Sequence, residues 1–178
     1  MRNDGCCIVL VNRLFMLAAF SVLLCVGCGT NKFEQEVTIE ASAVKFAEEV
    51  VSGQYDVLST DDVKKLIDSK TAMVLVDAMP AASSFNAAHL PGAVNFEFPK
   101  NTIESWDEET MPGRTQAQYE SLLGDDKDAL VVVYCGFVKC ARSHNAAIYA
   151  QQLGYTNVKR YAGGIYAWKG AGLPVASK

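Results

Sequence analysis

The sequence predicts an α/β domain built on a parallel five-stranded sheet with helices on both faces. Three observations predict it. Short apolar runs alternate with stretches of helical spacing from residue 55 to residue 175, which is the pattern of repeated βαβ units. Two of the runs, Ala72-Met73-Val74-Leu75-Val76 and Leu130-Val131-Val132-Val133-Tyr134, are apolar throughout rather than alternating, as strands covered on both faces must be. Turn residues punctuate the intervals, as at Gly124-Asp125-Asp126 and Gly163-Gly164, where an element has to stop.

The elements follow in order. Residues 29–38 read as a polar tether, and residues 41–51 as a helix whose inner face holds Val44, Ala47, Val50 and Val51. Tyr55-Asp56-Val57-Leu58 is a short first strand. Ser59 caps the next helix, with Asp61 and Asp62 in its first turn and Leu66 and Ile67 inward. Residues 72–76 form the second strand, with Asp77 at its carboxyl end. A short helix starts at Ser83 or Ser84, His89-Leu90-Pro91-Gly92 is a turn, and residues 93–96 form the third strand. Residues 100–114 are a mixed polar stretch in which Trp106 reads as a pocket rim. Residues 115–123 are helical, with Tyr119, Leu122 and Leu123 on one face. Residues 130–134 are the fourth strand, 145–153 a helix, and 158–161 the fifth strand. Residues 165–169 close the fold as a last helical turn, with Tyr166 and Trp168 as core packing.

The chain has 178 residues and a formal net charge of -4. That length supports one full core, and that charge carries no footprint for nucleic acid. Cys6, Cys7, Cys25 and Cys28 lie near the N-terminus, while Cys135 and Cys140 stand alone in the domain. A disulfide-stapled domain spreads its cysteines through the fold, so this one is not stapled. No cysteine or histidine spacing suits zinc; no metal and no other cofactor are expected.

Residues 1–27 read as a signal segment. Arg2 and Arg13 precede an apolar run, residues 14–26, that is of signal-core length and short for a membrane span. The run ends in Val26-Gly27-Cys28, which resembles a bacterial lipoprotein signal. The resemblance implies lipidation at Cys28, an extracytoplasmic, membrane-anchored domain, and a periplasmic location if the cell is Gram-negative. Residues 28–54 then form the tether and N-terminal helix, and residues 55–178 the domain.

The chemistry gathers in Tyr134-Cys135-Gly136-Phe137-Val138-Lys139-Cys140-Ala141-Arg142-Ser143. A strand delivers Cys135 into a loop whose N–H groups and following helix supply positive potential. Lys139 and Arg142 add full charges, and each contribution favours a nucleophilic thiolate. In a parallel sheet the ligand site lies beyond the carboxyl ends of the strands, where Cys135 and Asp77 both fall. His144 is either a solvated residue of the helix start or a helper of the thiolate.

Three stretches in order resemble a single-domain rhodanese, a sulfurtransferase. They are Val74-Leu75-Val76-Asp77 with Ala88-His89-Leu90-Pro91-Gly92-Ala93-Val94-Asn95, the cysteine loop with its helix, and Gly163-Gly164-Ile165-Tyr166-Ala167-Trp168-Lys169-Gly170-Ala171-Gly172-Leu173-Pro174-Val175. Two departures stand out. Met79 occupies the place of a usual Arg, and the cysteine loop is two residues longer, with Cys140 inside it. The resemblance implies transfer of sulfane sulfur from a small anionic donor such as thiosulfate to a thiol or cyanide through a Cys135 persulfide. Gly136, Phe137, Val138, Lys139, Arg142 and Ser143 would hold the donor. Cys140 would act as resolving thiol, and Asp77 and His89 would be structural near the site. Two other classes stay open: a thiol-disulfide or arsenate-type reductase using both cysteines, and a non-catalytic redox-sensing module. Partners are then a sulfur-containing anion, a thiol acceptor or reductant, and the membrane.

Overall fold

A computed structural model describes residues 31–178; the expected signal segment, residues 1–27, and the lipidation expected at Cys28 lie outside the described residues. Five parallel strands form one sheet in the order β1-β5-β4-β2-β3. The strands are β1 (Asp56–Leu58), β2 (Val74–Asp77), β3 (Val94–Asn95), β4 (Val131–Tyr134) and β5 (Val158–Tyr161). The helices are α1 (Lys32–Gly53), α2 (Thr60–Asp68), α3 (Gln116–Leu123), α4 (Arg142–Gln152) and α5 (Gly164–Gly170). β4 is central: Tyr134 pairs with Asp77 on one side and Tyr161 on the other. The most apolar run of the sequence therefore takes the position with strands on both sides and helices on both faces.

The pleat splits β4 between two cores. Val131, Val133 and Cys135 point toward the layer of α3 and α4, with Tyr119, Leu123, Ala146 and Tyr149. Val132 and Tyr134 point toward the layer of α2 and α5, with Val63, Ile165 and Trp168. α1 packs on α4, and α2 on α5. Two helices begin in the manner their sequences predict. Ser59 and Asp62 form a reciprocal capping box on α2, as do Thr115 and Gln118 on α3, each satisfying N–H groups the helix start would otherwise leave unpaired.

Five expectations need correction. The helix α1 starts at Lys32, so most of the expected tether is helical. Its inner side is Ser42, Phe46, Glu49, Val50 and Gly53, while Val44, Ala47 and Val51 are exposed. α4 starts at Arg142 rather than Asn145, because the loop hands its backbone directly into the helix. Ser83 and Ser84 lie inside a π-helical turn, Ala81–Phe85, rather than at its start. Trp106 is no rim: it donates to the Arg114 carbonyl and packs among Phe96, Phe98, Tyr119 and Tyr149. Among the described residues no helix is long and apolar enough to cross a membrane.

Candidate active site

The loop after β4 runs from Cys135 to Ala141 and turns back into α4, with Cys140 N–H donating to the Phe137 carbonyl at 3.0 Å. It is fixed from behind by the start of α5. Ile165 N–H donates to the Cys135 carbonyl and Tyr166 N–H to the Gly136 carbonyl, each at 3.0 Å. This closeness explains Gly164. Its φ is +59°, and a Cβ there would stand 2.2 Å from the Cys135 carbonyl oxygen. Only glycine fits both the left-handed backbone and the approach. On the other side, Met79 packs beside Gly136.

The two sulfurs share one environment. Cys135 is fully buried and Cys140 8% exposed. The Cys135 thiol donates to the Cys140 carbonyl at 3.3 Å and lies 3.2 Å from Ser143 Oγ. Burial pushes the Cys135 thiol well up, the Cys140 sulfur adds to this, and Ser143 opposes it. Cys140 is lowered to about 6, first by the Cys135 thiol and then, against its own burial, by the N–H groups of Arg142 and Gly136 and the Arg142 charge. In this resting geometry the loop's positive potential serves Cys140. The loop's N–H groups and the Arg142 charge therefore act on Cys140, while burial opposes a negative charge on Cys135.

Beneath the loop lies Arg160 of β5, 0% exposed. Its Nε donates to Ser143 Oγ at 2.9 Å, and one terminal nitrogen donates to Glu49 Oε2 at 2.6 Å and to Tyr55 Oη at 2.8 Å. The other terminal nitrogen holds the Cys140 carbonyl at 3.1 Å and the Val138 carbonyl at 3.4 Å. Tyr55 Oη is 2.8 Å from His144 Nδ1. Burial lowers the pKa of His144. His144 is thus buried, neither solvated nor on the sulfur. None of Arg160, Glu49 or Tyr55 was expected at the site. A signal existed for Arg160. It sits in a strand flanked by two others, and an arginine in a doubly covered strand has to be buried and paired.

The remaining predicted residues divide. Gly136 and Ser143 line the sulfurs, whereas Phe137, Val138 and Lys139 are exposed at the loop tip. Phe137 packs on Tyr166, their rings 5.3 Å apart, and Tyr166 is exposed rather than core. The Arg142 guanidinium does not turn toward Cys135: it donates to the Phe98 carbonyl and lies 3.8 Å from Glu97. Asp77 does not touch the loop. Its Oδ1 accepts the Met79 N–H at 2.8 Å and shapes the turn that carries Met79. His89 donates from Nδ1 to the Phe85 carbonyl at 2.8 Å and stacks on the Phe85 ring, and its backbone bridges Ala176.

Residues 59–171 match the family of the rhodanese-like domain. The chain belongs to that family. The match includes the cysteine loop and the Gly163-Gly164 turn, and leaves out α1 with Glu49. A sulfur carrier protein of Thermus thermophilus is 31% identical over 121 residues, 65% of this chain and 40% of that protein. A sulfurtransferase of Allochromatium vinosum is 45% identical over 51 residues, 29% of this chain and 46% of that protein. The rhodanese-like chain thus spans less than half the length of both curated relatives. Among solved structures, a Rhodopseudomonas palustris protein described as a possible tyrosine phosphatase matches with a TM-score of 0.52 at 26% identity. It covers 76% of this chain and 93% of its own.

Proposed function

We propose that this rhodanese-like domain is a sulfurtransferase that carries sulfane sulfur as a persulfide on Cys135, with Cys140 as its proton acceptor and resolving thiol. The observation that carries the reading is the pair itself: two buried sulfurs in one loop, with burial raising the Cys135 thiol and its neighbours lowering Cys140 to about 6. The names of the two relatives, a sulfur carrier and a sulfurtransferase, agree with it.

The steps balance. With thiosulfate as donor, Cys140 S⁻ takes the Cys135 proton as the Cys135 sulfur attacks the outer sulfur of the donor. The S–S bond of thiosulfate breaks, sulfite leaves, and Cys135 becomes a persulfide anion. An acceptor thiol or cyanide then removes the outer sulfur and restores Cys135. Alternatively, Cys140 attacks the inner sulfur of the persulfide. A Cys135–Cys140 disulfide forms, hydrosulfide leaves with the Cys140 proton, and an external dithiol must reduce the pair. The proximity of the sulfurs favours this branch as a second reading, reductive sulfur release. The same reading anchors the domain to a membrane through a lipid on Cys28. Cys28→Ala is then expected to move the protein into the soluble fraction, and unchanged fractionation refutes the anchor.

Intact mass of the reduced protein after thiosulfate treatment tests the chemistry. A gain of about 32 Da that dithiothreitol removes and Cys135→Ser abolishes is the expected persulfide. Cys140→Ser should retain that adduct and lose any internal disulfide. An adduct that survives Cys135→Ser refutes the assignment of the nucleophile. In the wild type, the absence of both a sulfur adduct and a Cys135–Cys140 disulfide after treatment refutes thiosulfate as donor.

A further inference from the structure

The Arg160 cluster points to a role beyond packing. Arginine only donates hydrogen bonds. Because Arg160 Nε donates to Ser143 Oγ at 2.9 Å, the Ser143 oxygen is an acceptor there, and its one hydrogen is free to point at the Cys135 sulfur 3.2 Å away. The same logic runs along the other arm. Tyr55 Oη accepts from Arg160, which leaves its own proton free for His144 Nδ1 at 2.8 Å. The carbonyls of Val138 and Cys140 accept from the other terminal nitrogen of Arg160, the Cys140 carbonyl while it also accepts from the Cys135 thiol. A buried cation this connected needs a buried anion. Glu49 supplies it from α1 at 2.6 Å, a helix outside the family-matched span.

We infer that Arg160 is a positioning residue, held in place by Glu49 of α1, which orients the Ser143 hydroxyl toward the Cys135 sulfur and fixes the cysteine loop. Resting on the sulfurtransferase reading, it makes α1 part of the active centre rather than a lead-in to it. With Ser143 donating, the Cys135 thiolate gains a hydrogen bond to charge. The other charged or titratable groups acting on these atoms are Cys140, Arg142, Lys45, Tyr55 and His144, and none of them donates to Ser143.

The test is the pH profile of Cys135 alkylation in the reduced full-length protein. Trypsin cleavage after Lys139 places Cys135 and Cys140 in different peptides, so mass spectrometry reads them separately. Arg160→Lys keeps the charge beside Glu49 but cannot span Ser143, Tyr55 and two carbonyls. It should displace the Cys135 profile upward by about one pH unit, a tenfold loss of thiolate at fixed pH. Ser143→Ala should do the same, and the double variant should do no more than either alone. An unmoved profile in Arg160→Lys, or shifts that add in the double variant, overturn the proposal. A purely structural role would loosen the loop and change the rate at every pH without moving the profile. Glu49→Gln is the second handle and serves even if Arg160→Lys fails to fold. It leaves the Arg160 charge uncompensated, so the Cys135 profile should move down; an unmoved profile overturns the role of α1. Alkylation needs no sulfur donor, so the outcome is separate from whether thiosulfate yields a persulfide.

Discussion

Gly164→Ala should damage the fold and the cysteine loop together. Two costs can be worked from the structure. Alanine at a φ of +59° costs about 1–2 kcal/mol for the left-handed backbone. Its Cβ would lie 2.2 Å from the Cys135 carbonyl oxygen and 2.9 Å from the Cys135 carbonyl carbon. Neither atom can swing aside as a side chain does, so α5 or the loop has to shift by roughly an ångström, an overpacking cost of about 1–3 kcal/mol. That shift also strains the Ile165 and Tyr166 hydrogen bonds to the loop. A loss of about 2–5 kcal/mol follows, enough to lower Tm by roughly 10 °C or more in a domain of this size. The control is Gly172→Ala. Gly172 has a φ of +70° and open space where a Cβ would go, so only the backbone cost of about 1–2 kcal/mol applies. Thermal unfolding followed by circular dichroism measures both variants, and Cys135 alkylation reports the loop. Equal Tm losses in the two variants, or a Gly164→Ala protein with wild-type alkylation, would refute the claim that α5 locks the loop.

Other substitutions probe other links. Asp77 is buried, and burial pushes its carboxyl up despite the Met79 N–H and the Tyr134 hydroxyl. Its folded pKa is raised, so its stability contribution is full below about 3.9 and lost as pH rises through the folded value; Asp77→Asn should raise Tm at pH 7, with the gain shrinking toward pH 4. Ser59→Ala removes the α2 cap and should lower Tm by a few degrees. Asp62 is lowered mainly by the Ser59 hydroxyl, a contribution present above about 3.9 and lost as pH falls through the folded value, so the Ser59→Ala deficit should narrow in acid. Tyr55→Phe strands His144 Nδ1 and weakens the hold on Arg160; urea unfolding should show a loss of about 2–3 kcal/mol, and a loss under 0.5 kcal/mol would refute the wiring of the cluster.

The fold was legible because its signals are local. The Val131-Val132-Val133 run, the capping residues Ser59 and Thr115, and the Gly124 stop each act within a few residues of where they are written. The cysteine loop was legible for the same reason. What the sequence hid is nonlocal. Glu49 and Arg160 meet from opposite ends of the chain, and nothing near either residue names the other. Lys139 and Arg142 were placed by nearness in sequence alone, and only the Arg142 charge acts on Cys140, from a guanidinium held elsewhere. The loop exposes Lys139, and Glu97 with the Phe98 carbonyl claims Arg142. The helical spacing of α1 was visible, but its inward side was misjudged, because valines suggested a face that a buried glutamate defines instead.

The cysteine loop is held by Glu49, acting through Arg160, and by the turn at Gly164. In chain order α1 precedes the cysteine loop, and β5 with the Gly164 turn follows it. A chain that has emerged only as far as α4 already carries both thiols, yet lacks the arginine beneath them and the helix behind them. The loop's supports are complete only once β5 and α5 have followed α4.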